Sequence, residues 1–151
     1  MADTSAVRYV TYIGSSAERV WHALTDADAT GAYWGHSNVS DWKAGSTWEH
    51  QRTDGTRTAD VVGTVLESAP PTRLVSTWVL PGADPTGEAA SRVTFDIQPY
   101  DGIVRLTMTH ENLPSDAERE KAAHGWAAVL SNLKTYVETG NPLPQEPWRM
   151  P

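Results

Sequence analysis

A chain of 151 residues, 39% hydrophobic and 21% charged, has the length of one ordinary domain and can build a core without disulfides or metal, so most of it is expected to be ordered. A formal charge of -7 with no Lys/Arg cluster works against phosphate backbones, and nucleic acid is not expected as a partner. The absence of cysteine removes thiol catalysis, disulfides and Cys-ligated zinc; no stretch approaches the ~20 apolar residues of a membrane span, and residues 1–25 lack the basic-then-apolar pattern of a secretion signal, so a cytoplasmic location is expected.

Val7 to Ile13, rich in Val, Tyr, Thr and Ile and followed by Gly14 and two serines, reads as a first strand. A helix follows it. Ser15 and Glu18 fit a capping box, and Ala17, Val20, Trp21 and Leu24 fall on one apolar stripe that should end near Thr25. Asp26 to Trp34 fits a second short helix capped by Asp26 or Asp28, with Gly31 and Gly35 limiting its extent. From Val39 to Glu111 turn signals such as Lys43-Ala44-Gly45, Thr53-Asp54-Gly55, Ala69-Pro70-Pro71 and Pro81-Gly82 leave room for about six strands. Val93, Phe95 and Ile97 share one face of a strand, Val104, Leu106, Met108 and His110 share one face of the next, and the short turn at Asp101-Gly102 predicts an antiparallel hairpin.

A second capping box, Ser115 with Glu118, opens a long helix whose stripe of Ala122, Trp126, Val129, Leu130, Leu133 and Val137 runs to a stop at Gly140. Residues 116–139 would span roughly 36 Å at 1.5 Å per residue, long enough to cross a sheet. Gly125 lies in mid-helix, where glycine costs up to ~1 kcal/mol against alanine, and a close approach of sheet to helix is the expected compensation. The proline-rich tail, 141–151, is expected to be extended or loose. Strand, helix pair, run of antiparallel strands and long helix together give the α+β class, read as a single domain over 1–151 with its core at about 7–140.

Several stretches occur together in this order: Val20-Trp21-His22-Ala23-Leu24-Thr25, Ala44-Gly45-Ser46-Thr47-Trp48, Gly63-Thr64-Val65-Leu66-Glu67 before a proline turn, Arg73-Leu74-Val75-Ser76-Thr77-Trp78, Leu106-Thr107-Met108-Thr109-His110-Glu111, Gly125-Trp126, and Tyr136-Val137-Glu138-Thr139-Gly140. In these the chain resembles the START/Bet v 1-like (SRPBCC) superfamily, in the branch named after the activator of heat shock protein 90 ATPase. The resemblance implies a helix-grip fold, a seven-stranded curved antiparallel sheet wrapped around the long C-terminal helix with two short helices after the first strand. It also implies a cavity that in many members holds hydrophobic compounds. Where the family pairs two glycines at a strand opening, this chain has Gly45-Ser46. The co-chaperone that names the branch carries a further N-terminal domain for which this length has no room, so its chaperone partner is not carried over.

On that fold the expected cavity lining is Trp34, Trp48, His50, Trp78, Phe95, Met108, His110, Trp126 and Leu130. His50 shares a strand face with Trp48, and His110 with Met108 and Leu106; pointing inward, either can orient a ligand hydroxyl or carbonyl or act as acid or base, and otherwise each bonds backbone at a strand end. Trp48, Trp78 and Trp126 either stack on a planar ligand or fill space under the sheet. Trp34 belongs to Tyr33-Trp34-Gly35-His36, expected to border the cavity mouth. There is no phosphate loop, G-x-S-x-G elbow, H-E-x-x-H or close histidine pair, so catalytic residues are unassigned and neither metal nor cofactor is expected. The reading is a binder of a small hydrophobic or aromatic molecule. Its alternatives are a polyketide cyclase or aromatase-like enzyme using the same cavity, and a chaperone-related interaction module. A homodimer follows from the resemblance as an expectation.

Overall fold

The computed structural model describes residues 6–151, in the order β1 (Val7–Ile13), α1 (Ala17–Thr25), α2 (Ala27–Trp34), β2 (His36–Ser40), β3 (Thr47–Arg52), β4 (Ala59–Ala69), β5 (Arg73–Trp78), β6 (Ser91–Tyr100), β7 (Ile103–Glu111) and α3 (Asp116–Thr139). The strands form one antiparallel sheet of order β1-β7-β6-β5-β4-β3-β2. β1 and β2 therefore lie at opposite edges although only α1 and α2 separate them in sequence, and the two short helices carry the chain across the sheet. With α3 packed beside them, this is the α+β helix-grip arrangement.

The local reasons are visible at each boundary. Asp26 caps α2 by accepting from the Ala29 N–H at 2.9 Å, and Gly35 ends it in the left-handed region at φ 76°. Ser115 caps α3 by accepting from the Glu118 N–H at 3.1 Å, and Gly140 closes it at φ 85°. The cap of α1 sits one residue later than the expected Ser15: Ser16 is the last extended residue, and its Oγ accepts from the Arg19 N–H at 3.2 Å. Asp101 and Gly102 both have positive φ, the primed turn that suits the right-handed twist of the β6–β7 hairpin. Across that hairpin Val93 faces His110, Phe95 faces Met108 and Ile97 faces Leu106, so the alternating apolar residues form one continuous buried surface.

The first half of β4 pairs with β3 and its second half pairs with β5. At the changeover stands Gly63, and a Cβ there would lie 2.0 Å from the Thr77 carbonyl oxygen and 2.2 Å from Trp48 Nε1. Only the bare backbone lets the Trp48 indole cross it and donate to Thr77 O at 2.8 Å.

The C-terminal tail is docked, contrary to the loose segment expected from its prolines. Asn132, buried on α3, accepts from the Leu143 N–H at 2.6 Å and donates to the Tyr33 carbonyl at 2.7 Å, which ties the tail, α3 and α2 together. A 3-10 turn over Pro147–Arg149 then lays Trp148 against Gly35, where a Cβ would be 3.2 Å from the ring. Among the described residues, no helix is long and apolar enough to cross a membrane.

Candidate functional site

Between the sheet, α3 and the returning tail lies a cavity of about 800 Å³. Its inner wall is aromatic: Trp34 from the end of α2, His36 from β2, His50 from β3, Trp78 from β5, His110 from β7 and Trp126 from α3. Trp34 and Trp78 stack at 5.9 Å with an interplanar angle of 19°, while Trp126 meets Trp34 edge-on at 5.4 Å and Trp78 at 5.3 Å. Exposed Leu80, Ala83, Glu118 and Lys121 mark the mouth. Two near-parallel indoles with a third set steeply to both give a flat guest face and edge contacts.

Of the residues expected to line a cavity, the structure brings together Trp34, His50, Trp78, His110 and Trp126. It places Trp48, Phe95, Met108 and Leu130 elsewhere. Trp48 stands one layer back, tethered to Thr77 O and packed on Trp78 at 5.1 Å; Phe95 lies behind the edge of Trp126 at 5.8 Å; Met108 and Leu130 are fully buried in the core between sheet and helix. Strand alternation put them on the right face, but that face runs deeper than the cavity does. Tyr33 is also buried, its hydroxyl donating to Ala23 O at 2.8 Å, so of that segment Trp34 and His36 reach the cavity, on its inner wall and not at its mouth.

Sequence reasoning set His36 in the segment at the cavity mouth without naming it as a lining residue, and missed Gly125 and Trp148; all three line the space. His36 fell outside a strand read as starting at Val39. Gly125 has the opposite explanation to the one expected: a Cβ there meets nothing within 4 Å, so the glycine does not let sheet and helix approach but leaves part of the cavity empty. Gly125→Ala is accordingly expected to stabilise the protein by about 0.5–1 kcal/mol through helix propensity, read from urea unfolding midpoints. A destabilised variant would mean that the helix face at Gly125 is packed.

The histidines differ sharply in what they can do. His110 is committed: its Nδ1 accepts from the Trp126 indole N–H at 3.1 Å, its Nε2–H donates to Ser91 Oγ at 2.9 Å, and the Ser91 hydroxyl donates to the Trp78 carbonyl. Burial pushes its pKa down to about 4. His50 is pushed down to about 3, first by burial and then by the neighbouring His36, and its Nδ1–H donates to Asn38 Oδ1 at 2.6 Å. The Asp60 carboxylate, bonded by Arg52 and then by His36, is held well below the usual carboxylate range.

A pH dependence follows from the two depressed histidines. In the unfolded chain each titrates near pH 6.5, so below that pH the unfolded state takes up protons that the folded state refuses. Their contribution is complete above pH 6.5 and is lost as pH falls toward the folded values, each histidine costing up to ~1.4 kcal/mol per pH unit. Urea unfolding at pH 7.5, 6 and 5, above most of the carboxylate range, should show stability falling only below pH 6.5. A flat profile would show that both rings accept protons freely.

A curved seven-stranded antiparallel sheet gripping a long C-terminal helix, with a cavity between them, defines a helix-grip protein of the START/Bet v 1-like (SRPBCC) superfamily. Within it, the family of activator of Hsp90 ATPase homolog 1-like proteins matches residues 15–138, and the chain belongs to that family. Among solved structures it is similar to a protein from Bordetella parapertussis encoded by BPP1335, with 30% identity and a TM-score of 0.72 over 95% of this chain and 80% of that one. It is also similar in fold to CalU16 from Micromonospora echinospora, at 22% identity and TM-score 0.72 over 92% and 77% of the two chains. The Aha1 dimer from Colwellia psychrerythraea matches at 22% identity and TM-score 0.71 over 89% and 97%. No curated protein matches significantly.

Proposed function

We propose that the protein binds one neutral, planar, largely apolar molecule in the cavity between the sheet and α3. The observation that carries this is the arrangement of Trp34, Trp78 and Trp126 around a space of about 800 Å³, within the size range of small-molecule sites. Burial holds His50 and His110 neutral near pH 7, so neither offers a fixed charge to an ionic guest. The same reading takes residues 1–151 as one ligand-binding domain working in the cytoplasm, and the sheet edges at β1 and β2 as the places where two copies would pair.

The neutral dye N-phenyl-1-naphthylamine tests it. One molecule should bind per chain with enhanced emission and quenched tryptophan fluorescence, and Gly125→Phe, which builds a ring into the empty part of the cavity, should abolish binding while the fold persists. Absence of binding by the parent, or equal binding by a folded Gly125→Phe protein, would rule the cavity out as the site.

A further inference from the structure

We propose that His36, oriented by Asp60, is a general base that removes a proton from the carbon between the carbonyl group and the aromatic ring of an arylmethyl ketone held in the cavity. This rests on the cavity-binding reading above. The starting observation is a register shift between β3 and β4: the ladder pairs His50 with Val61 and Gln51 with Ala59, so Asp60 is the extra residue of a bulge. Bulges re-aim side chains, and this one sets the Asp60 carboxylate 2.8 Å from His36 Nε2. Arg52, directly opposite His36 in the β2–β3 register, clamps the same carboxylate through Nε and Nη2 at 2.9–3.1 Å.

The consequence is a defined tautomer. An ionised carboxylate only accepts, so His36 carries its proton on Nε2 and presents a lone pair on Nδ1, which bonds no described residue. The ring borders the cavity and lies flat against His50, at 4.1 Å with an interplanar angle of 7°. His50 is fixed by Asn38 and cannot take a second proton beside a protonated neighbour, so a transferred proton stays on His36, where Asp60 stabilises the imidazolium. Of the three cavity-lining tryptophans, Trp126 already spends its indole N–H on His110, whereas the indole N–H groups of Trp34 and Trp78 bond no described residue and are available to an oxyanion.

The step balances without an added reagent. His36 Nδ1 takes the α-proton, the C–H electron pair becomes the carbon–carbon double bond of the enolate, and the carbonyl π pair moves to oxygen. Return of that proton to a different carbon completes an isomerisation, and its replacement on Nδ1 by a solvent proton before return to the same carbon completes hydrogen exchange, with nothing oxidised or reduced. His36 is the catalytic residue and Asp60 a positioning residue.

The test uses 2-tetralone in D2O, with binding followed by tryptophan quenching and exchange of its C1 protons by NMR. The expected result is saturable quenching with exchange about 100-fold faster than in the same concentration of free imidazole, blocked by naphthalene. His36→Gln should lose the acceleration while 2-tetralone still quenches saturably. Asp60→Asn should lower it at the same affinity, and Asp60→Glu should recover part of it. Saturable quenching without acceleration, or a His36→Gln protein as fast as the parent, would overturn the proposal and leave the binding reading intact. No quenching by either 2-tetralone or naphthalene would overturn both.

Discussion

Trp126→Ala is expected to lower the free energy of unfolding by about 3–5 kcal/mol, the range for removing a large buried aromatic side chain. Trp126 is 5% exposed, packs edge-on against Phe95 and Trp34, and separates the cavity from the core beneath it. Its removal would also leave His110 Nδ1, a buried acceptor, without its indole donor. Lost packing and an orphaned polar atom both enter that figure, the second accounting for about 1–3 kcal/mol of it. Trp126→Phe separates them, because it keeps a ring while deleting the N–H, and should lie between the parent and Trp126→Ala. Urea unfolding followed by far-UV circular dichroism reads both variants, since the remaining tryptophans confuse a fluorescence signal. A loss under ~1 kcal/mol for Trp126→Ala would show that the side chain does not hold α3 to the sheet.

Gly63→Ala is expected to be as damaging although it adds a single methyl group. The new Cβ would stand 2.0 Å from Thr77 O and 2.8 Å from Thr77 C, which are backbone atoms, and 2.2 Å from the Trp48 ring nitrogen. Relief requires β4 and β5 to separate where Val62 and Val79 exchange backbone hydrogen bonds, or Trp48 to abandon Thr77. Overpacking at an inflexible site costs about 3 kcal/mol or more at the upper end of its range. That is a fall of about 6 °C or more in Tm for a chain of this size, measured by thermal unfolding. Gly125→Ala, the same substitution in open space, is the internal control and should move Tm the other way. A Gly63→Ala protein melting with the parent would mean that the backbone at Thr77 and the Trp48 ring yield to a methyl group at little cost.

The period of the apolar residues, the capping side chains and the turn glycines were enough to read the strand at Val7–Ile13, the β6–β7 hairpin and the long helix ended by Gly140, because each depends on residues within a few positions of one another. The same signals placed Met108 and His110 on one face without distinguishing them. Periodicity encodes direction and not depth: two residues along β7, one side chain is sealed in the core and the other borders the cavity. Local propensity was also blind to the tail, whose docking depends on Asn132 reaching both Leu143 and Tyr33. It was blind as well to the bulge that turns Asp60 toward His36, since a register shift exists only between two strands. Short-range chemistry thus made the elements, their order and the apolar character of the interior legible from the residues alone. The tertiary structure alone decided where the interior is left empty, at Gly125, and which polar atoms meet there, because both follow from contacts between residues far apart in the chain.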